Sequence, residues 1–375
     1  MIEFVEGNDA VVRGAVDAGC EFFAGYPITP ATSILTGLVQ ELPPHGGIVV
    51  EGEDEIASIG MCIGAATAGL RAMTATSGPG ISLYSENLGL CQMGETPLVV
   101  VDVQRQGPAT GSATKGADSD IQFLRWVTSG GIPMVVLCPE NVTDCYSLTR
   151  RAFVLAEELR APVIVASQKE VGLTREPVDL EAIARDMPPA SPPRRPRDDD
   201  AGYLPHDFSS PTDVAPLSPL GGAHLIRYTT STHDRRGLLT KKPEEIAEMV
   251  DHLRAKIDAR ADDIADAELD LQEGAESLII SYGVTARACR EAVARVRAQG
   301  GAVSLAVVRS LFPVPEAMLG EALAGINRVV VAEMNLGQYV EEIRRIAPGH
   351  RIIPVTKMNT DLISPREIIK EGGLL

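Results

Sequence analysis

Residues 97–103 read Pro-Leu-Val-Val-Val-Asp-Val, a run that is apolar everywhere except at Asp102. A strand with one wet face alternates apolar and polar residues, whereas a continuous apolar run is typical of a parallel strand covered on both faces. Similar runs occur on either side, with helical patterns between them, at 21–25, 47–51, 71–76, 133–137 and 162–167. The sequence therefore predicts an α/β fold with a parallel sheet of about six strands.

The composition divides the chain into four parts. Residues 1–185 form the first α/β domain, in which Asn8 is predicted to cap a helix over residues 9–18. Residues 186–242 are a connector, with nine prolines between Pro188 and Pro219, which we expect to wrap over other surfaces. A linking segment follows over 243–275, with a charged amphipathic helix predicted over 243–273. A smaller α/β domain with four strands is expected over 276–375.

Charge and cysteine usage narrow the function classes. The 375 residues carry a net charge of -17, which argues against a nucleic-acid surface because phosphate repels an acidic protein. The six cysteines have no Cys-x-x-Cys pair, so no metal-cluster framework is visible. No apolar run is long enough to span a bilayer, and no signal peptide is recognisable. We expect a soluble cytoplasmic protein that contacts neither nucleic acid nor membrane.

Two stretches at predicted strand ends combine unusual backbone chemistry with hydroxyl groups. The loop Tyr26-Pro-Ile-Thr-Pro30 is stiffened by its two prolines and can present Thr29 at low ordering cost. The turn Thr74-Ala-Thr-Ser-Gly-Pro-Gly80 lets a ligand approach its backbone closely. Either stretch is also compatible with an ordinary turn.

Charged residues near these loops are candidates for chemistry. Glu55 opens a helix over 54–69 whose next fourteen residues carry no charge, so an inward-facing Glu55 would suit proton exchange with a ligand nitrogen. The loop 104–116 holds only Arg105 and Lys115 as charges, a pair that suits a dicarboxylate. The alternative for the acidic helix start is that its charges merely complement the helix dipole. The alternative for the loop 104–116 is that it is an ordinary solvated loop.

Together these stretches resemble one enzyme family over nearly the full length of the chain. The motifs are GYPITPAT (25–32), EGEDEIASIGMCIGAATAG (51–69), TATSGPG (74–80), VDVQRQGPATGSATKG (101–116) and VVVAEMNLGQY (329–339). They resemble the α subunit of 2-oxoacid:ferredoxin oxidoreductases, and most closely that of the enzymes that act on 2-oxoglutarate. Such enzymes use thiamine diphosphate to decarboxylate a 2-oxoacid, pass electrons through iron-sulfur clusters to ferredoxin, and transfer the acyl group to coenzyme A.

The resemblance implies roles for individual residues. Glu55 matches the glutamate that hydrogen-bonds the aminopyrimidine ring and helps its amine take the thiazolium proton. Thr29 and Arg105 match the residues that hold the 2-oxo-carboxylate end of the substrate. The remaining implied cofactor contacts are Tyr26, Pro27, Ile28, Ser77 and Gly78. Assigning Thr114 or Lys115 to a distal carboxylate is our own extension, drawn from the loop charges.

The resemblance also implies partners. Thiamine enzymes bind the diphosphate and Mg²⁺ through a Gly-Asp-Gly motif followed later by Asn, and Gly-Asp-Gly does not occur here. A β subunit is therefore expected to supply the diphosphate and metal site and a [4Fe-4S] cluster, in an (αβ)₂ assembly. The fold implied is a pyrimidine-type thiamine diphosphate domain followed by a smaller transketolase-C-terminal-like domain. The alternatives are the same chemistry on pyruvate, a branched-chain or an aryl 2-oxoacid, and a non-redox ligand-binding protein.

Overall fold

The computed structural model describes residues 1–188 and 193–375. Its strands are β1 (Glu3–Glu6), β2 (Phe22–Gly25), β3 (Ile48–Glu51), β4 (Ala72–Thr76), β5 (Leu98–Gln104), β6 (Val135–Leu137), β7 (Pro162–Gln168), β8 (Arg175–Val178), β9 (Ala267–Asp270), β10 (Ser277–Tyr282), β11 (Ser304–Val308), β12 (Ser310–Phe312), β13 (Arg328–Glu333) and β14 (Arg351–Thr356).

Helices cover and connect these strands. They are α1 (Gly7–Asp17), α2 (Thr32–Glu41), α3 (Glu55–Thr67), α4 (Pro79–Leu83), α5 (Ser85–Met93), α6 (Ile121–Arg125), α7 (Val142–Leu159), α8 (Lys169–Gly172), α9 (Leu180–Asp186), α10 (Pro243–Asp258), α11 (Ala261–Ile264), α12 (Thr285–Ala298), α13 (Glu316–Ala322), α14 (Val340–Ile346) and α15 (Pro365–Gly372). No helix within the described residues has the length and apolar character that crossing a bilayer requires.

The larger sheet confirms the predicted parallel α/β fold. Its seven strands lie in the order β12-β6-β7-β5-β4-β2-β3, and all neighbours except β12 and β6 pair in parallel. Strand β5 lies at the centre, and every residue from Leu98 to Gln104 is buried. Because the six strands other than β12 run parallel, their carboxyl ends meet at one edge of the sheet, where an open α/β sheet binds ligands.

The second sheet confirms the four predicted strands and corrects the segment before them. Its order is β14-β13-β10-β11-β9. The helix predicted over 243–273 is wrong beyond Asp258, where α10 ends, and β9 pairs antiparallel with β11 so that Leu269 lies opposite Ala306. Ala267 and Leu269 alternate with acidic residues, which is the pattern of a half-buried edge strand.

Besides β9, three short strands were not predicted from the sequence. Strands β1 and β8 form a separate antiparallel pair. Strand β12 follows β11 in the chain but pairs with β6 of the larger sheet, with Phe312 opposite Val136. The chain after residue 276 thus contributes to both sheets, and the domain bounds 1–185, 186–242, 243–275 and 276–375 stay a prediction.

Asn8 is not the helix cap that the sequence predicted, because α1 already begins at Gly7. Its side chain is fully buried, and Nδ2 donates to the carbonyl of Pro30 at 2.9 Å and to Oγ of Ser33 at 2.8 Å. Asn8 therefore ties α1 to the proline-containing loop that follows β2.

A buried polar cluster around Glu95 anchors the proline-rich connector. Residues 189–192 of the predicted connector lie outside the described residues. Glu95 accepts from Nδ1 of His206 at 2.9 Å, from Nε2 of His252 at 2.9 Å and from Nζ of Lys256 at 2.7 Å. Arg160 donates to the carbonyls of Glu95 at 3.1 Å and Pro205 at 2.8 Å. The cluster thus joins the first sheet, the connector and α10.

The charge balance of this cluster keeps Glu95 ionised. Burial alone raises the pKa of Glu95, but Lys256, Arg160 and the two histidines together hold it well below its usual range. Both Glu95 and Lys256 are almost completely buried, so the loss of the Glu95 charge leaves the ammonium group of Lys256 without its compensating carboxylate.

We predict that Glu95→Gln lowers the free energy of unfolding by about 3–5 kcal/mol, because it strands the buried ammonium of Lys256. Urea denaturation followed by circular dichroism measures the change. The exposed Glu86 on the neighbouring α5 provides the matched control, and Glu86→Gln is expected to change stability by less than about 0.5 kcal/mol. Equal stability of the two variants would contradict the role given to this cluster.

Candidate active site

The candidate site lies where β2, β3, β4 and β5 end. The loop after β2 carries Tyr26 to Thr29, and α3 follows β3 with Glu55 as its first residue. The turn after β4 carries Ser77 and Gly78, and the loop after β5 begins at Arg105. The parallel sheet therefore brings four separate stretches of sequence to one edge.

Glu55 is buried although it begins a helix. Asp54 caps α3 by accepting from the N–H of Ala57 at 2.7 Å, which fixes the direction of the first turn. The side chain of Glu55 is only 7% exposed. It packs against Gly80, where an added Cβ would lie 2.8 Å from Oε1 of Glu55 and 2.0 Å from Oγ1 of Thr76. Only glycine leaves room for the carboxyl group at this position.

The end of β4 and the turn after it hold two buried hydroxyl groups. Oγ of Ser77 has no hydrogen-bond partner among residues 1–188 and 193–375, and Oγ1 of Thr76 has none of full geometry there, although the hydroxyl of Tyr84 is near enough to interact with it. Gly78 has φ +46°, a conformation that side chains disfavour, and its missing Cβ leaves room beside Nε of Arg105. Buried hydroxyls normally find partners, so these two suit a bound polar group.

Arg105 is 4% exposed and bridges two loops. Its Nη1 donates to the carbonyl of Thr29 at 2.5 Å and its Nη2 to the carbonyl of Thr110 at 3.2 Å. Nε has no partner within the described part of the chain. Burial lowers the pKa of Arg105, and the carboxylates of Asp120, Asp102 and Glu55 oppose that shift.

The sequence reasoning missed Asp102 and Asp120. Both carboxylate oxygens of Asp102 are buried without a hydrogen bond of full geometry among the described residues. Burial and the charge of Asp120 raise the pKa of Asp102, although the N–H of Gly78 is near enough to oppose the rise. Burial also raises the pKa of Asp120 to about 6, against the effect of Arg105. The signal in the sequence is Asp102 itself, the one charge in the central apolar strand.

The other predicted residues are more open. Thr29 has an exposed side chain, and its carbonyl is the group that contacts Arg105. Tyr26 is exposed, and Pro27 and Ile28 are half-buried. This loop therefore contacts Arg105 through the carbonyl of Thr29, and its side chains are more exposed than those of Glu55 and Arg105.

Thr114 and Lys115 are exposed at the far end of the loop that begins with Arg105. The loop is closed by its own backbone, since the N–H of Gln106 donates to the carbonyl of Lys115 at 2.9 Å and that of Ser112 to the carbonyl of Gln106 at 2.9 Å. This closure brings the backbone of Lys115 beside Gln106, the residue after Arg105, although the side chains of Arg105 and Lys115 share no hydrogen bond.

The arrangement is that of a cofactor-dependent α/β enzyme, with a buried acid and a buried cation at the carboxyl edge of a parallel sheet. Residues 13–252 match the family model for the thiamine-diphosphate-binding part of pyruvate flavodoxin/ferredoxin oxidoreductases. Residues 275–368 match the model for core domain II of pyruvate:ferredoxin oxidoreductase. The chain belongs to the 2-oxoacid:ferredoxin oxidoreductase family, as its motifs indicated.

Three similar proteins refine this placement. The chain is 40% identical to the 2-oxoglutarate synthase subunit KorA of Methanothermobacter thermautotrophicus, over 98% of this chain and 96% of the relative. It is 31% identical to the ketoisovalerate oxidoreductase subunit VorB of the same organism, over 98% and 96%. A solved 2-oxoglutarate:ferredoxin oxidoreductase from Magnetococcus marinus, with 2-oxoglutarate, coenzyme A and succinyl-CoA bound, superimposes with a TM-score of 0.92 at 34% identity. The match covers 98% of this chain and 64% of that one.

The residues at the sheet edge fit the pyrimidine end of thiamine diphosphate. A buried carboxyl such as that of Glu55 is able to hydrogen-bond a ring nitrogen, Oγ1 of Thr76 lies near it at Gly80, and the buried hydroxyl of Ser77 has no partner among the described residues. The missing side chain of Gly80 leaves room for the carboxyl group of Glu55 and the hydroxyl of Thr76, and that of Gly78 leaves room for the side chain of Arg105. Among the described residues, no group of three or more histidines, cysteines and acids is placed to hold a metal ion.

Proposed function

We propose that this chain is the α subunit of a coenzyme A-dependent 2-oxoglutarate:ferredoxin oxidoreductase, which converts 2-oxoglutarate reversibly to succinyl-CoA. The observation that supports this most is the placement of Glu55, Arg105 and Thr29 at one sheet edge. The 40% identity to a 2-oxoglutarate synthase subunit, and the ligands of the solved relative, support the choice of substrate.

Thiamine diphosphate, when bound, supplies the electron sink for cleavage of the bond to the substrate carboxylate. In our proposal Glu55 exchanges a proton with a pyrimidine nitrogen, and Ser77 and Gly78 line the ring on one side. Tyr26, Pro27 and Ile28 cover the site from the other side and exclude water. The close contact between Glu55 and Gly80 fixes the carboxyl group in place, so that proton transfer needs no large movement of the side chain.

The substrate end of the site depends on Arg105. Its unpartnered Nε is a donor available to the 2-oxo-carboxylate group, and Thr29 supplies a hydroxyl nearby. Lys115, with Thr114, is proposed to meet the second carboxylate of 2-oxoglutarate outside the buried pocket. Lys115 is exposed, and its side chain makes no hydrogen bond or ion pair with the described residues, which leaves its ammonium group available.

The proposal includes partners. A β subunit supplies the diphosphate and Mg²⁺ site and a [4Fe-4S] cluster, in an (αβ)₂ assembly that reduces ferredoxin in the cytoplasm. Its support is the fit of this chain to the pyrimidine end of the cofactor, together with a sequence without the Gly-Asp-Gly motif. The similarity to a ketoisovalerate oxidoreductase subunit favours a branched-chain 2-oxoacid as the second candidate substrate.

We predict that Glu55→Gln lowers kcat of the enzyme assembled with its partner by at least about a hundredfold, because the amide cannot exchange the proton. The fold is retained, since glutamine has the same shape. The neighbouring Glu53 is exposed, so Glu53→Gln is the control and should leave kcat unchanged. Turnover of the Glu55→Gln enzyme at the rate of the parent would rule out the assigned role.

We also predict that Lys115→Met raises KM for 2-oxoglutarate about tenfold, through loss of one charge-assisted contact at an exposed position. KM for pyruvate and 2-oxoisovalerate should stay unchanged, because these acids have no second carboxylate. Lys241 is exposed in the connector, and Lys241→Met is the matched control. Anaerobic assays with coenzyme A and a low-potential acceptor give these constants. A parent enzyme that prefers pyruvate or 2-oxoisovalerate would refute the substrate assignment.

A further inference from the structure

The motif VVVAEMNLGQY (329–339) lies on the second sheet, and nothing in the site described above uses it. It spans the end of β13 and the turn before α14. The turn is fixed from within, because the buried carboxylate of Glu333 accepts from the N–H groups of Tyr339 at 2.9 Å and Val340 at 3.0 Å. Oδ1 of Asn335 accepts from the N–H groups of Gly337 and Gln338, both at 2.8 Å.

This rigid turn is bound to the chain segment that follows the Arg105 loop. The N–H of Asp118 donates to the carbonyl of Met334 at 2.9 Å, and Oδ2 of Asp118 accepts from the N–H of Met334 at 3.1 Å. Nε2 of Gln338 donates to the carbonyl of Ser119 at 2.8 Å, and Oε1 of Gln338 accepts from the N–H of Gln122 at 2.8 Å.

A further layer of contacts surrounds these bonds. Nε2 of Gln122 donates to the carbonyl of Gln338 at 2.9 Å and to Oε1 of Glu342 at 3.0 Å. Arg125 forms an ion pair with the same Glu342. Residues 118–125 and 334–342 therefore meet through side chains and backbone on both sides.

The same short segment holds the start of the loop that carries Arg105. Oγ of Ser119 accepts from the N–H of Gly107 at 2.9 Å. The N–H of Asp120 donates to Oε1 of Gln104 at 3.2 Å, and the carboxyl of Asp120 acts electrostatically on Arg105. Residues 118–122 thus bind the turn after β13 through Asp118, Ser119 and Gln122. They bind the start of the Arg105 loop through the hydroxyl of Ser119 and the N–H of Asp120.

We propose that Gln338 and Asp118 are positioning residues that hold Arg105 and its loop in place for the substrate. Gln338 fixes the carbonyl of Ser119 while the hydroxyl of Ser119 fixes Gly107, two residues after Arg105. Without that support the loop keeps its chemistry but samples more conformations, so that substrate binding weakens more than turnover. The role of Arg105 in this inference rests on the proposed function.

The test uses Gln338→Ala in the complete chain with its partner, read out by hydrogen exchange and by steady-state kinetics. Gln338 is half-buried at the surface of its turn, so the truncation leaves the core intact. Gln272 is the matched control, because its Oε1 accepts from the N–H of Val303 at 3.1 Å within the second sheet unit alone. Gln338→Glu is a second variant that keeps the acceptor for Gln122 and loses the donor to Ser119.

We expect Gln338→Ala to speed amide exchange in peptides covering 104–116 about tenfold, because the substitution removes two hydrogen bonds. KM for the 2-oxoacid should rise about tenfold, and kcat should stay within about twofold of the parent value. Gln338→Glu should give a change of the same kind and at least the same size, because its carboxylate faces the carbonyl of Ser119, and Gln272→Ala should give none. Unchanged exchange over 104–116, or the same change in Gln272→Ala, would overturn the inference. Faster exchange with unchanged KM for every 2-oxoacid would instead remove Arg105 from the substrate site.

Discussion

The burial of the Arg105 guanidinium is the constraint on which the site depends. A cation withdrawn from water needs polar or negative groups around it. Here two backbone carbonyls accept its N–H groups, and the carboxyls of Asp120, Asp102 and Glu55 oppose the fall in its pKa. These groups lie in β5, at the start of α3 and in the segments that follow β2 and β5. Satisfying a single side chain therefore requires that these elements come together in one arrangement.

The burial of Arg105 explains why the loop after β2 is stiff. Its prolines fix the backbone on either side of Thr29, whose carbonyl accepts a hydrogen bond from Arg105 at 2.5 Å. Asn8 holds the next residue, Pro30, by its carbonyl. A backbone that is held at both points can serve as a fixed wall for a ligand, at little entropic cost on binding.

Features that depend on neighbouring residues in the sequence were predicted, and features that depend on residues distant in the sequence were missed. The parallel strands were predicted because their apolar runs are continuous. For Glu55 the sequence showed only that an inward-facing side chain would enter an apolar setting, and the structure shows that it is buried. Strand β12 was missed because its three residues become a strand only by pairing with β6. Asp102 was missed as part of the site because its partners, Asp120 and Arg105, lie beyond the strand in a loop whose path the sequence does not give.

The residues after 276, which form most of the second sheet, also support the first domain. They contribute β12 to the larger sheet and support residues 118–122 next to the site. The connector, anchored at Glu95, holds α10 against the first sheet from another direction. The site therefore rests on most of the chain, although the side chains assigned to chemistry lie within residues 26–115.

We propose that this chain carries the pyrimidine half of a thiamine diphosphate site and that a partner carries the diphosphate half. Isothermal titration of thiamine diphosphate with Mg²⁺ into the purified chain, alone and assembled with its β subunit, tests this division of the site. We expect weak binding by the chain alone and tight binding by the assembly, because the charged end supplies most of the anchoring. Tight binding by the isolated chain would contradict the division of the site between two subunits.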